Sequence, residues 1–370
     1  MSRILQTAAT LAVAAVLACS SRVDVGKAPA TSATSATSAT SAAAAPARMV
    51  APNTGESHFT NVRQITYGGE NAEAYFSPDG RWLTFQSTRD GRSCDQQFVV
   101  RADGTDLRRV SDGTGKTTCG YFIDGGRRLL YSSTHAVQRE CPPRPDPSAG
   151  YVWGLDPFDI YTSNLDGSNR KALTSYGVYT TEATVSPDGR TIVFTSLKDG
   201  DLDIYTMDVD GGNMRRLTTT PGYDGGAFFS PDGKRIVYRA WHPTGDSLEV
   251  HRNLLARRMV RPNRMEIWTM NSDGSDQRQI TNLGGANFAP FYTPDGARII
   301  FSSNHKNPRS RNFDLYLVNI DGTGLEQVTT DADFDGFPMF SRDGRYLVWA
   351  SNRHAPNAGG TDLFIAEWKP

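Results

Sequence analysis

The chain has 370 residues, with 39 Lys and Arg against 40 Asp and Glu, and its formal net charge is −1. A charge this close to zero creates no overall field that would attract nucleic acid or an anionic membrane surface. No internal segment has the roughly 18 apolar residues needed to cross a bilayer, which excludes an internal membrane span.

The N-terminus predicts export. Arg3 is followed by an apolar run that ends in Val16-Leu17-Ala18, and the next residue is Cys19. A charged start, a short apolar core and a small residue at the cleavage site define a signal peptide, here residues 1–18. The run resembles the lipobox of bacterial lipoproteins, in which the cysteine thiol is acylated. The alternative is an ordinary signal peptide with a cysteine nearby.

The resemblance implies a lipid anchor on Cys19 and an exported protein. Ser20, rather than Asp, resembles outer-membrane sorting, so the expected location is the outer membrane, facing the periplasm or the exterior. Residues 19–58 are rich in Ala, Ser and Thr, and they contain almost no large apolar residue. Such a stretch cannot bury enough surface to offset its ordering entropy, so we predict a disordered tether. The folded domain is expected over residues 59–370.

A short turn cassette recurs through that domain. Its six copies begin at Ser77, Ile123, Ser186, Ser230, Thr293 and Ser341; the first reads Ser-Pro-Asp-Gly, the second is degenerate, and the last has Arg in place of Pro. Pro fixes φ and Asp-Gly tolerates left-handed turn geometry, so each cassette predicts a hairpin. A spacing of about 40–50 residues is that of a propeller blade.

Two further signatures accompany each cassette. The first is an acid followed by a β run, as in Asp203-Ile204-Tyr205, which in most blades ends in an Asp-Gly turn. The second is a short strand ending in Thr or Ser, as in Arg216–Thr218. Each blade is therefore predicted to have four strands: one before the cassette, one after it, one after the acid and one after the Asp-Gly turn.

The two ends of the domain predict how the ring closes. The sixth repeat stops at Pro370 without its fourth strand, and the first strand, Val62–Thr66, precedes any cassette. That first strand resembles the outer strand of another repeat, Arg278–Thr281. We therefore expect an all-β, six-bladed propeller closed by the N-terminal strand, an arrangement that leaves only short edges.

The cassette with its acidic and Asp-Gly elements resembles the TolB-like β-propeller repeat over roughly residues 60–370. The same repeat occurs beside the hydrolase domain of prolyl-oligopeptidase-type enzymes. This sequence contains no Gly-x-Ser-x-Gly nucleophile motif, and no residue is assigned a catalytic role. Because fold alone does not define function, the resemblance implies the architecture and leaves the ligand open.

Two long loops predict a functional face. About 25 residues separate Ser133 from Asp159 in blade two, and a similar number separate Ala240 from Glu266 in blade four. Long loops in a compact repeat are commonly functional, and both should rise on the face opposite the cassettes. Cys94, Cys119 and Cys141 are expected to converge there. An exported protein favours a disulfide, with the pairing open; a metal site with His135 is the alternative.

Polar residues near the start of the inner strands are expected to ring one channel mouth and to bind a cation or the basic end of a peptide. They are Asn71, Glu73, Thr117, Thr180, Glu182, Asp224, Asn287 and Asp335. The alternative is that a channel mouth is simply wet, in which case polar residues there need no ligand.

The blade-four loop is basic, and its arginines are candidate partner contacts, together with Trp153 of the blade-two loop. These arginines are Arg252, Arg257, Arg258 and Arg261. Leu254, Leu255 and Met259 have rough helical spacing, which predicts a short amphipathic helix that touches an acidic partner or lipid. The alternative is a solvated basic face.

The resulting hypothesis is a non-catalytic binding or scaffold module for an envelope protein or peptide. It expects no cofactor, no metal and no nucleic acid, and contact with the membrane through the lipid anchor only. One alternative is a hydrolase or lyase with a polar or metal site at the channel mouth. Another is a glycan-binding module, for which Tyr121, Tyr151, Trp153 and Trp241 are candidate aromatics.

Overall fold

The structure, a computed structural model, describes residues 46–146, 151–355 and 360–370. The predicted signal peptide, Cys19 and most of the predicted tether lie outside the described residues. In the described part, the chain forms an all-β propeller of six four-stranded blades, which confirms the predicted fold class.

The strands of the first three blades follow the predicted order. Before them come β1 (Arg48–Met49) and β2 (Phe59–Gln64). Blade one contains β3 (Glu70–Phe76), β4 (Trp82–Thr88), β5 (Gln96–Arg101) and β6 (Arg108–Arg109). Blade two contains β7 (Thr117–Ile123), β8 (Arg128–Ser133), β10 (Asp159–Asn164) and β11 (Lys171–Ala172), with β9 (Trp153–Gly154) in its long loop. Blade three contains β12 (Thr180–Val185), β13 (Thr191–Ser196), β14 (Asp203–Asp208) and β15 (Arg215–Arg216).

The remaining blades repeat the pattern. Blade four contains β16 (Tyr223–Phe229), β17 (Arg235–Trp241), β19 (Glu266–Asn271) and β20 (Arg278–Gln279). Its long loop holds helix α1 (Asp246–Ala256) and β18 (Met259–Val260). Blade five contains β21 (Asn287–Tyr292), β22 (Arg298–Ser303), β23 (Asp314–Asn319) and β24 (Glu326–Gln327). Blade six contains β25 (Asp335–Phe340), β26 (Tyr346–Ser351) and β27 (Asp362–Trp368).

The apolar core lies between neighbouring blades, which pack face to face. Neighbouring inner strands contact each other in chain order, and β25 of blade six contacts β3 of blade one. Central strands are consequently buried on both faces, as Ile192, Val193 and Phe194 of β13 are. Such strands read as continuous apolar runs rather than as alternating ones.

The cassette residues bond among themselves, which explains their repetition. In blade one the Ser77 hydroxyl donates to Asp79 Oδ1 at 2.6 Å and accepts from the Trp82 amide at 3.0 Å. Gly80 has φ of +69°, a conformation that glycine adopts without strain. Although burial alone raises the pKa of Asp79, bonds from Ser77 and Arg81 lower it to about 2. The cassette carboxylate is therefore a structural acceptor.

The acid that opens the third strand and the Thr that ends the fourth form a second structural unit. In blade three the Thr218 hydroxyl donates to Asp203 Oδ1 at 3.2 Å and accepts from the Ile204 amide at 3.0 Å. Blade one forms the same unit with Gln96 and Ser111, at 2.7 Å. Because it joins the third strand to a fourth strand of only two residues, this unit fixes the outer edge of the blade.

The N-terminal strand closes the ring as predicted, with β2 pairing antiparallel to β27. The expected end of the tether at residue 58 is too late, however. The strand β1 pairs with β2, and the Glu56 side chain is buried against Arg353. The Arg353 guanidinium bonds Glu56 at 2.8 Å and Asp335 at 2.9 Å. Residues 46–58 therefore belong to the closure.

The only α-helix within the described ranges has 11 residues. No helix in that part of the chain is long and apolar enough to cross a membrane.

Candidate functional site

A bulge in every inner strand turns one residue toward the channel. The six bulged residues have φ between +50° and +61° and are Glu73, Cys119, Glu182, Gly226, Ala289 and Phe337. Residues other than glycine seldom adopt this conformation, and bulges re-aim side chains. They line a space of about 30 Å³, which we call the polar chamber. This volume holds about one water molecule.

An ion pair crosses the wall of the polar chamber. Arg239 Nη2 donates to the Glu182 carboxylate and to the Tyr223 hydroxyl, the latter at 2.6 Å. Thr195 also donates to Glu182, at 2.7 Å. A Cβ on Gly226 would lie 1.9 Å from Arg239 Nη1, so the glycine makes room for the guanidinium. Burial by itself lowers the pKa of Arg239, but the Glu182 carboxylate raises it well above its usual value.

Glu73 and Cys119 form the other polar pair of the chamber. The Cys119 thiol and the Glu73 carboxyl both line the chamber, and the thiol lies 3.4 Å from the Thr118 hydroxyl. Burial raises the pKa of Glu73 to about 7, and the charge of Glu182 adds to the effect. Burial and the two carboxylates raise the pKa of the Cys119 thiol. A protonated, buried thiol is a poor nucleophile, so the chamber does not present Cys119 as a reactive group.

The two long loops meet over the chamber. The strand β9 of the blade-two loop pairs with β18 of the blade-four loop. Trp153 of β9 lies 5.3 Å from the Arg239 guanidinium in blade four and 6.3 Å, edge-on, from the Phe288 ring in blade five. Blades two and five are opposite each other in a ring of six. Trp153 therefore extends across the long-loop end of the channel.

Aromatic rings meet across the channel on the other side of the chamber. Tyr75 lies 5.5 Å from Tyr121 and 5.7 Å from Phe228, and Phe228 lies 5.2 Å from Phe291. Each of these four residues stands two positions after a bulge, and together we call them the aromatic septum. Because Tyr75 in blade one meets Phe228 in the opposite blade, the septum separates the polar chamber from the cassette face.

A cavity of about 460 Å³ opens on the cassette face, and we call it the cassette-face funnel. Its floor includes Tyr121, Phe228 and Phe291 of the septum. Its wall includes Val185, Phe229 and Met339, and its rim consists of the residues at the second cassette position, Pro78, Asp124, Pro187, Pro231, Pro294 and Arg342. Ligand pockets commonly have volumes of about 300–1,000 Å³ and mostly apolar linings. The funnel has both properties.

Six of the eight residues expected at the channel mouth lie elsewhere. Asn71, Thr117, Thr180, Asp224, Asn287 and Asp335 are at most 1% exposed. Their side chains bond within the sheet, as Asn71 does with Ser87 at 2.8 Å and Asp224 with His242 at 3.0 Å, and Asn71 also donates to Asp362 of the preceding blade at 3.3 Å. Buried polar groups need such partners, so these residues fasten the inner strand to its neighbour. Only Glu73 and Glu182 of the expected ring face the channel.

The three cysteines separate into two places rather than converging. Cys94 and Cys141 form a disulfide that joins the blade-two loop to blade one, and Cys119 is a free thiol in the chamber. His135 bonds Ser133 at 2.8 Å and packs on Tyr161. Among the described residues, no group of three or more His, Cys, Asp or Glu side chains is placed to hold a metal ion.

The basic loop contains the predicted helix, but the apolar side chains of the loop are directed toward the protein interior. Leu254 and Met259 are buried, and His251 bonds Asp201 at 3.2 Å. A lipid-facing apolar surface is therefore not present on α1. The arginine side chains of positions 252, 257 and 258 are exposed, and Arg261 is partly buried.

Sequence reasoning named Tyr121 as a candidate aromatic but missed the other three septum residues, Arg239 and Arg342 as site residues. A signal for the septum existed, because an aromatic pair precedes several cassettes, as in Tyr75-Phe76, Phe228-Phe229 and Phe291-Tyr292. The Pro-to-Arg departure at position 342 was visible as well. No local signal connects Arg239 to Glu182, which lies 57 residues earlier.

Comparisons with known proteins agree with this architecture. The family model described as TolB beta propeller domain matches residues 155–257. A putative TolB from Agrobacterium tumefaciens is 20% identical, with a TM-score of 0.53 over 82% of this chain and 91% of that one. A gluconolactonase from Xanthomonas campestris is 15% identical, with a TM-score of 0.55 over 89% of this chain and 98% of that one.

An oligogalacturonate lyase in complex with manganese is 14% identical, with a TM-score of 0.53 over 88% of this chain and 97% of that one. No curated protein matches the chain. The protein is thus a six-bladed β-propeller. The match to the TolB beta propeller domain covers residues 155–257, and the likeness to the solved structures extends to the fold alone.

Proposed function

We propose that this propeller is a non-catalytic binding module and that its cassette-face funnel takes an apolar group of a peptide or protein of the cell envelope. The observation that carries the proposal is the funnel itself, an open cavity of about 460 Å³ whose floor is made of aromatic rings. Burial of apolar surface on such a floor is the main source of affinity in pockets of this kind.

The proposal moves the expected binding surface from the long-loop face to the cassette face. Support comes from Trp153, which extends across the long-loop end, and from the polar chamber beneath it, which has room for about one water molecule. A peptide segment does not fit into that volume, whereas the funnel is open to solvent.

A photo-crosslinking experiment tests the choice of face. Benzoylphenylalanine replaces Pro231 at the funnel rim in one variant and Arg257 on the blade-four loop in another; both positions are exposed. In envelopes we expect an adduct from position 231 that disappears when Val185→Lys places a charge in the funnel. Adducts from position 257 alone would assign binding to the long-loop face.

The enzyme alternative has one specific observation in its favour. Glu73 has a pKa of about 7 beside Glu182, and groups that exchange protons near neutral pH are typical of acid–base sites. Access to the pair would require movement of Trp153. If Glu73 were catalytic, a substrate screen against sugar lactones and oligouronates would show turnover that Glu73→Gln abolishes. The binding proposal expects no turnover.

Export and a lipid anchor on Cys19 complete the proposal. They rest on the apolar run and the Leu17-Ala18-Cys19 sequence. The anchor predicts that the wild-type protein fractionates with membranes and carries acyl mass, and that Cys19→Ser releases it. A wild-type protein that lacks acyl mass and remains soluble would contradict the anchor and leave the funnel proposal unaffected.

A further inference from the structure

One rim residue of the funnel departs from the repeat in a way that the turn does not require. Four of the six cassettes have Pro at the second position, whereas blade six has Arg342. The blade-six turn keeps the shared geometry, because Ser341 donates to Asp343 at 2.7 Å and Gly344 has φ of +72°. Proline would fit this turn, as it does in four other blades. Arg342 is therefore not explained by the scaffold.

Arg342 is also an unpaired charge at the rim of the funnel. Its side chain is exposed, and its guanidinium has no hydrogen-bond or ion-pair partner among the described residues. Arg81 and Arg345 nearby bond the cassette carboxylates Asp79 and Asp343, at 2.6 and 2.8 Å. Two carboxylates also line the funnel: Asp124 bonds Arg128 at 3.3 Å, and Asp188 accepts from the Ser186 hydroxyl at 2.6 Å.

The charge of Arg342 reaches the floor of the funnel. Burial raises the pKa of Tyr121 to about 12, and the positive charge of Arg342 acts in the opposite direction. Tyr121 belongs to the septum, and Arg342 lines the same cavity. The funnel therefore combines an apolar floor with one cation at its rim, and this pair of features matches an apolar group that carries an anion.

The septum restricts the shape of the occupant. Because Tyr75 meets Phe228 at 5.7 Å across the channel, a chain cannot pass from the funnel into the polar chamber. The funnel is a closed-ended pocket, which suits the end of a chain better than a segment that continues in both directions. A C-terminal residue has a side chain and a carboxylate on the same Cα atom.

We propose that Arg342 binds the C-terminal carboxylate of a peptide whose last residue is apolar and lies on the aromatic septum. This inference rests on the proposed function of the funnel and adds the chemistry of the ligand. Guanidinium binds carboxylate through two parallel hydrogen bonds, which gives orientation as well as energy. The apolar residue supplies the burial.

The test compares fluorescein-labelled peptides that differ in the presence and position of one carboxylate. The probes are labelled Ala-Ala-Leu-Phe as the free acid, the same peptide as its amide, and Ala-Ala-Asp-Phe amide, which has an internal carboxylate. Fluorescence anisotropy measures their binding to the purified full chain. We expect the free acid to bind about tenfold more tightly than the amide, since a charge-assisted bond at a partly solvated rim contributes of the order of one factor of ten.

Two variants assign the effect to Arg342. Arg342→Pro restores the residue found in four other blades, so the fold is expected to persist, and the preference for the free acid should fall below twofold while the amide still binds. Arg127→Gln removes an exposed positive charge from the same face and should leave the preference intact.

The outcomes separate the two proposals. Equal binding of acid and amide by the wild type, or a preference retained in Arg342→Pro, overturns the role of Arg342 and leaves the funnel standing. Failure of all three peptides to bind overturns the funnel and this inference together. If the internal-carboxylate amide binds as tightly as the free acid, the chain-end assignment is wrong.

Discussion

The two ends of the channel are built from the same six strands and yet differ in character. At the cassette end, repeated turns surround an open funnel with an aromatic floor. At the long-loop end, Trp153 extends over a small chamber that holds the Glu182–Arg239 ion pair and Glu73. The cassette end is shaped by what the blades share, apart from Arg342 and Asp124. The long-loop end is shaped by loops that only two blades have.

This difference shows how a ring of similar blades acquires two unlike channel ends. Each inner strand supplies one bulge residue, and the inner strands of blades one, two, four and five each supply one septum residue, so the septum divides the channel at one depth. Insertions in blades two and four then cover one side of that division. A ligand therefore meets an apolar surface from one side and a protein cover from the other.

The largest expected effect comes from breaking the chamber ion pair. Arg239→Met leaves the Glu182 carboxylate buried without its cation, and the side chains are only 8% and 12% exposed. Loss of one partner of a buried pair costs about 3–5 kcal/mol in the free energy of unfolding. Urea denaturation measures it. Combining Arg239→Met with Glu182→Gln should restore most of the loss; a single variant as stable as the wild type would mean that the chamber is not buried in solution.

The next effect concerns the cover of the long-loop end. Replacing Cys94 and Cys141 by Ser removes the crosslink that joins the blade-two loop to blade one, and we expect a loss of about 2–4 kcal/mol. Hydrogen exchange should accelerate in β9, where Trp153 lies. Cys119→Ser is the control, since that thiol is free. Alkylation of all three cysteines in unreduced, denatured protein would contradict the disulfide.

A pH-dependent effect tests the chamber more finely. The folded state raises the pKa of Glu73 from 4.5 to about 7, so the folded protein binds the proton more tightly than the unfolded chain. The contribution of this proton to the free energy of unfolding is fully present below pH 4.5 and is lost as the pH rises through about 7. At pH 8, Glu73→Gln should therefore exceed the wild type by on the order of 2 kcal/mol, and the two should converge near pH 5.

Asp314→Asn is the comparison for that experiment. Burial raises the pKa of Asp314 to about 7 as well, but this residue opens a third strand and does not line the chamber. Asp314→Asn should change the free energy of unfolding over the same pH range, and this change should not depend on Arg239. Parallel profiles of Glu73→Gln and wild type between pH 5 and 8 would exclude a buried, protonated Glu73.

The smallest expected effect on stability is at the surface of the long-loop end. Arg257→Glu with Arg258→Glu changes two exposed side chains and should alter the free energy of unfolding by less than about 0.5 kcal/mol. If the basic loop contacts an acidic partner, the same variant loses salt-sensitive binding of a labelled hexaglutamate peptide. Arg127→Glu with Arg190→Glu makes an equal charge change on the cassette face. Equal losses in both variants would indicate binding by net charge alone.

The repeat made most of the fold predictable. The bonds within a cassette such as Ser77–Gly80 act over a few residues, and the bond from Thr218 to Asp203 acts between adjacent strands. The spacing of these residues in the sequence therefore predicts the structure they form. The closure by β2 was predictable because the sixth repeat lacked a fourth strand and one strand preceded the first repeat, so the two were expected to pair. The expected ring at the mouth failed because position alone does not say which side chains a bulge turns inward. Asn71 lies two residues before Glu73, yet only Glu73 faces the channel.

The sequence by itself determined the number of blades, their strand order, the closure of the ring and the existence of two long loops, because each depends on local turn chemistry repeated along the chain. Only the tertiary structure decided which end of the channel is open. The approach of Trp153 to Phe288, of Tyr75 to Phe228 and of Cys94 to Cys141 joins segments far apart in sequence. The first two contacts follow from the closed ring, in which residues of opposite blades meet across a narrow channel, and the disulfide follows from the packing of the blade-two loop against the neighbouring blade.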